Sequence, residues 1–135
     1  MSAIVDTSVI VRYLLADPPQ LATAARAIIE SDEQLWVTTV VIAEVTHVLR
    51  TVYQADRGAV VDQVMALLQR ENIDVLDADR DLVLAALLLC RPSNRVSVAD
   101  ALVWAAAHTH GPRTVYTFDR RFPADGLALR ATLTR

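Results

Sequence analysis

Short apolar runs alternate with longer stretches of helical periodicity along this chain. Ala3-Ile4-Val5 predicts a short buried strand, which Asp6 ends. Between Thr7 and Leu15, apolar residues fall at Val9, Ile10, Tyr13 and Leu14, the spacing of one helix face. Asp17-Pro18-Pro19 stops that helix, because proline lacks the amide hydrogen a helix interior needs. Further helices are predicted over residues 20–30, from a cap at Thr38 or Thr39 to about residue 53, and over 57–70, 80–90 and 97–108. Strands are predicted at 35–37, 73–76 and 113–118, with a last one at 127–133. The strands are short, apolar and without alternation, as in a sheet covered on both faces. Strands that take turns with helices give an α/β sandwich around a mostly parallel sheet. Ligands of such sheets gather at the carboxyl ends of the strands. Asp6 and Asp119 each follow a predicted strand, which puts both on that edge.

Composition narrows the class. A chain of 135 residues predicts one domain over 1–135, and 53% hydrophobic content with mean hydropathy +0.31 excludes disorder. No apolar run approaches the roughly 18 residues that a bilayer demands, and the opening residues carry no basic leader before the first strand. No membrane association and no secretion are therefore expected. Cys90 is alone, which rules out a disulfide framework or a cysteine metal site and suits a reducing cytoplasm. The net charge of −3 by itself argues against a nucleic-acid partner, but its distribution is uneven. Residues 1–90 carry six Arg and thirteen acids, whereas residues 91–135 carry seven Arg and three acids. Two of those three acids, Asp100 and Asp119, are candidate metal ligands. Every cation is Arg, the side chain best shaped for bidentate phosphate contact.

Four acids in apolar company carry the candidate chemistry. Glu44 lies mid-helix in Val40-Val41-Ile42-Ala43-Glu44-Val45, bordering the packing face, where a carboxylate is costly unless paired or bound to a cation. An ion pair with Arg12 is the alternative. Asp100 is the one charge between Arg95 and Arg113; its plain alternative is a capping box, Ser97-x-x-Asp100. Asp6 has an ordinary N-cap as its alternative, and Asp119 a turn. The combination is what points to a site. Four carboxylates together need a cation, since two of them about 4 Å apart repel by ~4 kcal/mol at an effective dielectric of 20. Oxygen ligands select Mg²⁺ or Mn²⁺ over zinc.

The same residues resemble the motifs of PIN-domain ribonucleases, in particular the VapC-type toxins of toxin–antitoxin pairs. Ile4-Val5-Asp6-Thr7-Ser8 looks like the first acidic motif, Thr39 to Val45 like the second, Ser97-Val98-Ala99-Asp100-Ala101-Leu102 like the third, and Tyr116 to Phe122 like the fourth. The resemblance covers the whole chain. It implies a PIN-like three-layer sandwich with a mostly parallel five-stranded sheet flanked by helices. It implies Asp6 and Asp100 as main Mg²⁺ ligands, completed by Glu44 and Asp119. It also implies cleavage of RNA, tRNA or rRNA, by metal-activated water, a homodimer, and a VapB-type antitoxin that blocks the site. Thr117 is the position whose counterpart is thought to place a water or ligand.

Other features are weighed against plainer roles. Arg120 and Arg121 adjoin Asp119 and are the foremost candidates for phosphate contact, ahead of Arg91, Arg95 and Arg113. His108 and His110 sit at a helix end, where capping carbonyls and meeting the dipole is the expected role rather than zinc binding. Trp36 and Trp104 read as core. Val60, Val61, Val64, Met65 and Leu68 form a stripe suited to core or interface, and Cys90 reads as a buried thiol. Two rival functions remain. A phosphoacceptor receiver needs a lysine, which this chain lacks. A non-catalytic RNA- or protein-binding module on the same fold would not need the acidic set.

Overall fold

The computed structural model describes residues 2–133, so Met1, Thr134 and Arg135 of the expected 1–135 domain lie outside it. Its contacts divide the chain into two units, Met1–Asp77 and Ala78–Arg135.

The first unit opens with β1 (Ser2–Ile4), α1 (Thr7–Leu15) and α2 (Pro19–Ile29). It continues with β2 (Gln34–Val37), α3 (Thr39–Thr51), α4 (Arg57–Leu68) and β3 (Ile73–Val75). The three strands are parallel in the order β1-β2-β3, with Ala3 opposite Leu35 and Trp36 opposite Asp74. Two helices link each pair, the long crossover that parallel pairing requires. The ladder runs one residue past each outer strand: Val5 N–H donates to the Trp36 carbonyl and Leu76 N–H to that of Val37, both at 2.9 Å.

Local chemistry sets the helix ends. Asp6 caps α1, and Ala16 closes it in the left-handed region with its N–H on the Arg12 carbonyl. Pro19 opens α2, where its missing N–H costs nothing. Thr38 caps α3 and Asp56 caps α4. Leu35, Val37, Ile73 and Val75 of the sheet are buried, as are Ile10, Ile29, Ile42, Val45 and Leu49 of the helices. Each such side chain contributes roughly 1.5–3 kcal/mol of burial. Val60, Val61, Val64 and Leu68 are buried as well, so the α4 stripe is core rather than a free interface.

The second unit comprises α5 (Arg80–Cys90), α6 (Val98–His110), β4 (Thr114–Tyr116) and β5 (Ala128–Arg130). Asp79 caps α5 and Ser97 caps α6, whose other end closes at Gly111. The two helices pack together, with Val83, Ala86, Leu87 and Cys90 of α5 and Ala101, Trp104 and Ala105 of α6 buried. The Cys90 thiol donates to the Leu87 carbonyl at 3.3 Å, in keeping with a structural role. Strands β4 and β5 are parallel to each other, Val115 opposite Leu129.

The α/β class, the six helices and the parallel pairing are as expected, but a single five-stranded sheet is not. Among the described residues the strands form a sheet of three and a sheet of two. Each strand has only three or four residues, and among the described residues β4 pairs only with β5. Nor is every strand covered on both faces. β2 alternates partly buried and buried positions, whereas β1 lies at the sheet edge with Ile4 62% exposed.

Candidate active site

In the first unit, Asp6 stands at the carboxyl end of β1, where the sheet topology turns the chain into α1. One carboxylate oxygen, Oδ1, accepts both the Ser8 N–H at 3.1 Å and the Ser8 hydroxyl at 2.7 Å. The plain alternative, an N-cap, is therefore part of what Asp6 does. The Ser8 hydroxyl bond holds its carboxyl below the usual aspartate range, against a smaller opposing effect of burial.

Glu44 corrects an expectation. It is exposed, not set against the packing face. Ile42, Val45, Thr46 and Leu49 form the buried stripe of α3, while Val40, Glu44, His47 and Thr51 recur on the exposed one. Among the described residues no ion pair joins Glu44 to Arg12 either, and one Arg12 nitrogen donates to the Asp17 carbonyl at 3.3 Å. Glu44 and Asp6 instead line one groove of about 420 Å³, together with Thr7, Ser8, Arg12 and Tyr53.

Asp77 was not singled out from the sequence. It follows Leu76 at the carboxyl end of β3, as Asp6 follows β1. Its two oxygens accept the Thr39 N–H at 2.9 Å and the Thr39 hydroxyl at 2.7 Å. Asp77 thereby ties the first residue of α3, the helix of Glu44, to the end of the sheet. An acid directly after a strand was the available signal.

In the second unit, Asp100 occupies the first turn of α6, and its N–H donates to the Ser97 hydroxyl at 3.0 Å. The Ser97 half of the capping box is thus present, whereas among the described residues no bond runs from the Ser97 N–H back to the Asp100 carboxyl. Burial pushes the Asp100 carboxyl above its ordinary value, and the charge and carboxyl contact of Asp119 push it the same way. The Ser97 hydroxyl pulls weakly in the other direction. Asp119 is also a turn residue: its N–H donates to Thr117 Oγ1 at 3.0 Å, and its Oδ1 accepts the Arg121 N–H at 2.8 Å. That turn brings its carboxyl to Asp100. A second carboxyl beside it disfavours the charged form of Asp100.

Thr117 thus positions the Asp119 backbone. Arg120 and Arg121 are exposed. Thr117, Asp119 and Arg120 line a groove of about 340 Å³ with Arg130 and the 90% exposed Phe118. Arg113 is engaged elsewhere, its Nη1 2.7 Å from His108 Nδ1. His108 does not cap the end of its own helix, a role taken by Gly111; its Nε2 lies 2.9 Å from the Asp125 carbonyl oxygen. Trp104 is buried and donates to the same carbonyl at 2.9 Å.

The acids thus come together as Asp6 with Glu44 along one groove, and as Asp100 against Asp119. Among the described residues no three His, Cys, Asp or Glu side chains form a group that could hold a metal ion. No curated protein matches the chain. The family pattern described as PIN domain matches residues 3–125, nearly the whole length and all four acidic segments. The chain belongs to the PIN domain family.

Proposed function

We propose that this chain is a Mg²⁺-dependent endoribonuclease, the toxin of a VapBC-type pair, working as one PIN domain. PIN domains are generally metal-dependent nucleases, and the family match supports a nuclease-type fold here. The observation that carries the reading is the Asp100–Asp119 contact. A PIN-family chain places the Asp119 carboxyl beside that of Asp100, on a neighbouring turn and a helix start, where a cation would relieve the repulsion that helps raise the Asp100 pKa.

The donor chemistry suits Mg²⁺ or Mn²⁺. Carboxylate oxygens from Asp6, Glu44, Asp100 and Asp119, with the Ser8 hydroxyl beside Asp6, are hard ligands, while Cys90 is buried. When bound, such a cation lowers the pKa of water and neutralises charge on a phosphodiester. The protein's own share is positional. Ser8 fixes the Asp6 carboxylate, Thr117 fixes the Asp119 backbone, and Arg120 and Arg121 supply exposed cations for RNA phosphates. The three-layer sandwich, the homodimer, the VapB-type antitoxin and the cytoplasmic setting belong to the same proposal. No described helix is long and apolar enough to cross a membrane.

The test is incubation of total cellular RNA with purified protein, in Mg²⁺, in EDTA, and with Asp6→Asn. Discrete fragments that require Mg²⁺ and vanish in the variant are expected. Intact RNA from folded, antitoxin-free protein refutes the nuclease and favours a non-catalytic binding module.

A further inference from the structure

Asp100, Trp104 and His108 lie at i, i+4 and i+8 of α6, stacked along one helix face. The segment that follows β4 meets that face twice. Asp119 meets Asp100 at the first turn. Six residues on, the Asp125 carbonyl accepts from Trp104 Nε1 and lies beside His108 Nε2, each at 2.9 Å. The two rings lie against each other with centroids 4.5 Å apart. A carbonyl only accepts and a guanidinium only donates, so Nε2 carries the proton and Nδ1 accepts from Arg113. Gly126 completes the fit. Its φ is +79°, and a Cβ there would stand 2.8 Å from His108 Cε1.

We propose that Trp104 and His108 are positioning residues for the Asp100–Asp119 pair. By gripping the Asp125 carbonyl, they fix the far end of segment 119–125 on the helix that carries Asp100. The bonds inside the Asp119 turn set its shape but not its distance from α6. Phe122 is buried within the segment, yet apolar burial is non-directional and leaves its register free. Paired donors on one carbonyl fix that register, and Arg113 holds the His108 ring in the rotation that donates. The consequence for cation binding rests on the proposed nuclease function; the grip itself does not.

The experiment compares His108→Ala, His108→Gln and wild type, metal-free, by amide hydrogen exchange at Asp119 and Arg121, then by Mn²⁺ affinity. Loss of one hydrogen bond predicts about five- to tenfold faster exchange at both amides in His108→Ala, with α5 and α6 protection unchanged. The Gln side chain carries an N–H that reaches the same carbonyl, so His108→Gln restores most of the protection. Mn²⁺ affinity falls in the Ala variant and recovers in the Gln variant. Unchanged exchange in His108→Ala, or a Gln variant that behaves like Ala, overturns the proposal. Trp104→Phe keeps an aromatic ring but loses the indole N–H and the five-membered ring that carries it, so it gives the same reading, with α5 and α6 protection as the check on packing, if His108→Ala does not fold. A wild type that neither binds Mn²⁺ nor cuts RNA refutes the nuclease, and the amides alone then decide the grip.

Discussion

Replacing Asp119 with Asn should stabilise the metal-free protein. Asn keeps the acceptor for the Arg121 N–H and removes the charge that faces Asp100. Two carboxylates about 4 Å apart repel by ~4 kcal/mol at an effective dielectric of 20. Asp119 is exposed and Asp100 only partly buried, so solvent screens the pair toward the scale of exposed charge pairs, about 0.5–1 kcal/mol. For 135 residues this is a rise in Tm of about 2–4 °C. The effect has a definite pH dependence. Burial first, and then Asp119, raise the folded pKa of Asp100, so the folded state retains a proton that the unfolded chain has already lost. Stability from this group is complete below the unfolded value of about 3.9 and declines as pH rises through the raised folded value. The gain from Asp119→Asn must therefore appear above that window and vanish below it. Thermal unfolding in EDTA at pH 3 and pH 7 measures both, and 1 M salt should shrink the gain. A variant less stable at pH 7, or equally stabilised at pH 3, refutes the reasoning.

Asp6→Ala removes both Ser8 bonds and should cost about 1 kcal/mol in urea unfolding, whereas Asp6→Asn, still a good cap, should cost a few tenths. The Ser8 hydroxyl lowers the folded pKa of Asp6, so its contribution is present above about pH 3.9 and is lost as pH falls through the lowered value. Acid unfolding of Asp6→Asn should lack that component. Asp77→Ala frees Thr39 at the start of α3 and should cost about 1–2 kcal/mol by the same urea assay. Gly111→Ala has open space around the new Cβ but holds φ at +104°, so the backbone alone should cost about 1–2 kcal/mol, read as a lower Tm.

Much of this fold was legible because its signals are local. The helix predicted over residues 7–15 has those bounds, since Asp6 caps it and Asp17-Pro18-Pro19 follows it. Strand existence was legible too, but strand partnership was not: three residues at β4 and three at β5 carry no information about which sheet they join. Glu44 misled because an acid flanked by valines reads as buried, whereas its helical phase places it with Val40 and His47 on the exposed stripe. The plain alternatives for Asp6 and Asp119 are present, a cap and a turn, and for Asp100 the Ser97 half of the capping box is. None of them precludes a second use of the free oxygens. The Asp125 carbonyl escaped notice because a backbone acceptor has no residue-type signal. Position alone pairs His108 with its own helix end, yet its partner is seventeen residues on.

The most direct measurement is the rate of cleavage of a defined single-stranded RNA against Mg²⁺ concentration, for wild type and Asp100→Asn, with the product ends identified. The account predicts a saturable Mg²⁺ dependence, a linear monophosphate and a hydroxyl at the new ends with no 2′,3′-cyclic phosphate, as water attack requires, and at least about a hundredfold loss in a variant whose Tm is not lowered. Cleavage that persists in EDTA, or in Asp100→Asn at the wild-type rate, would contradict it.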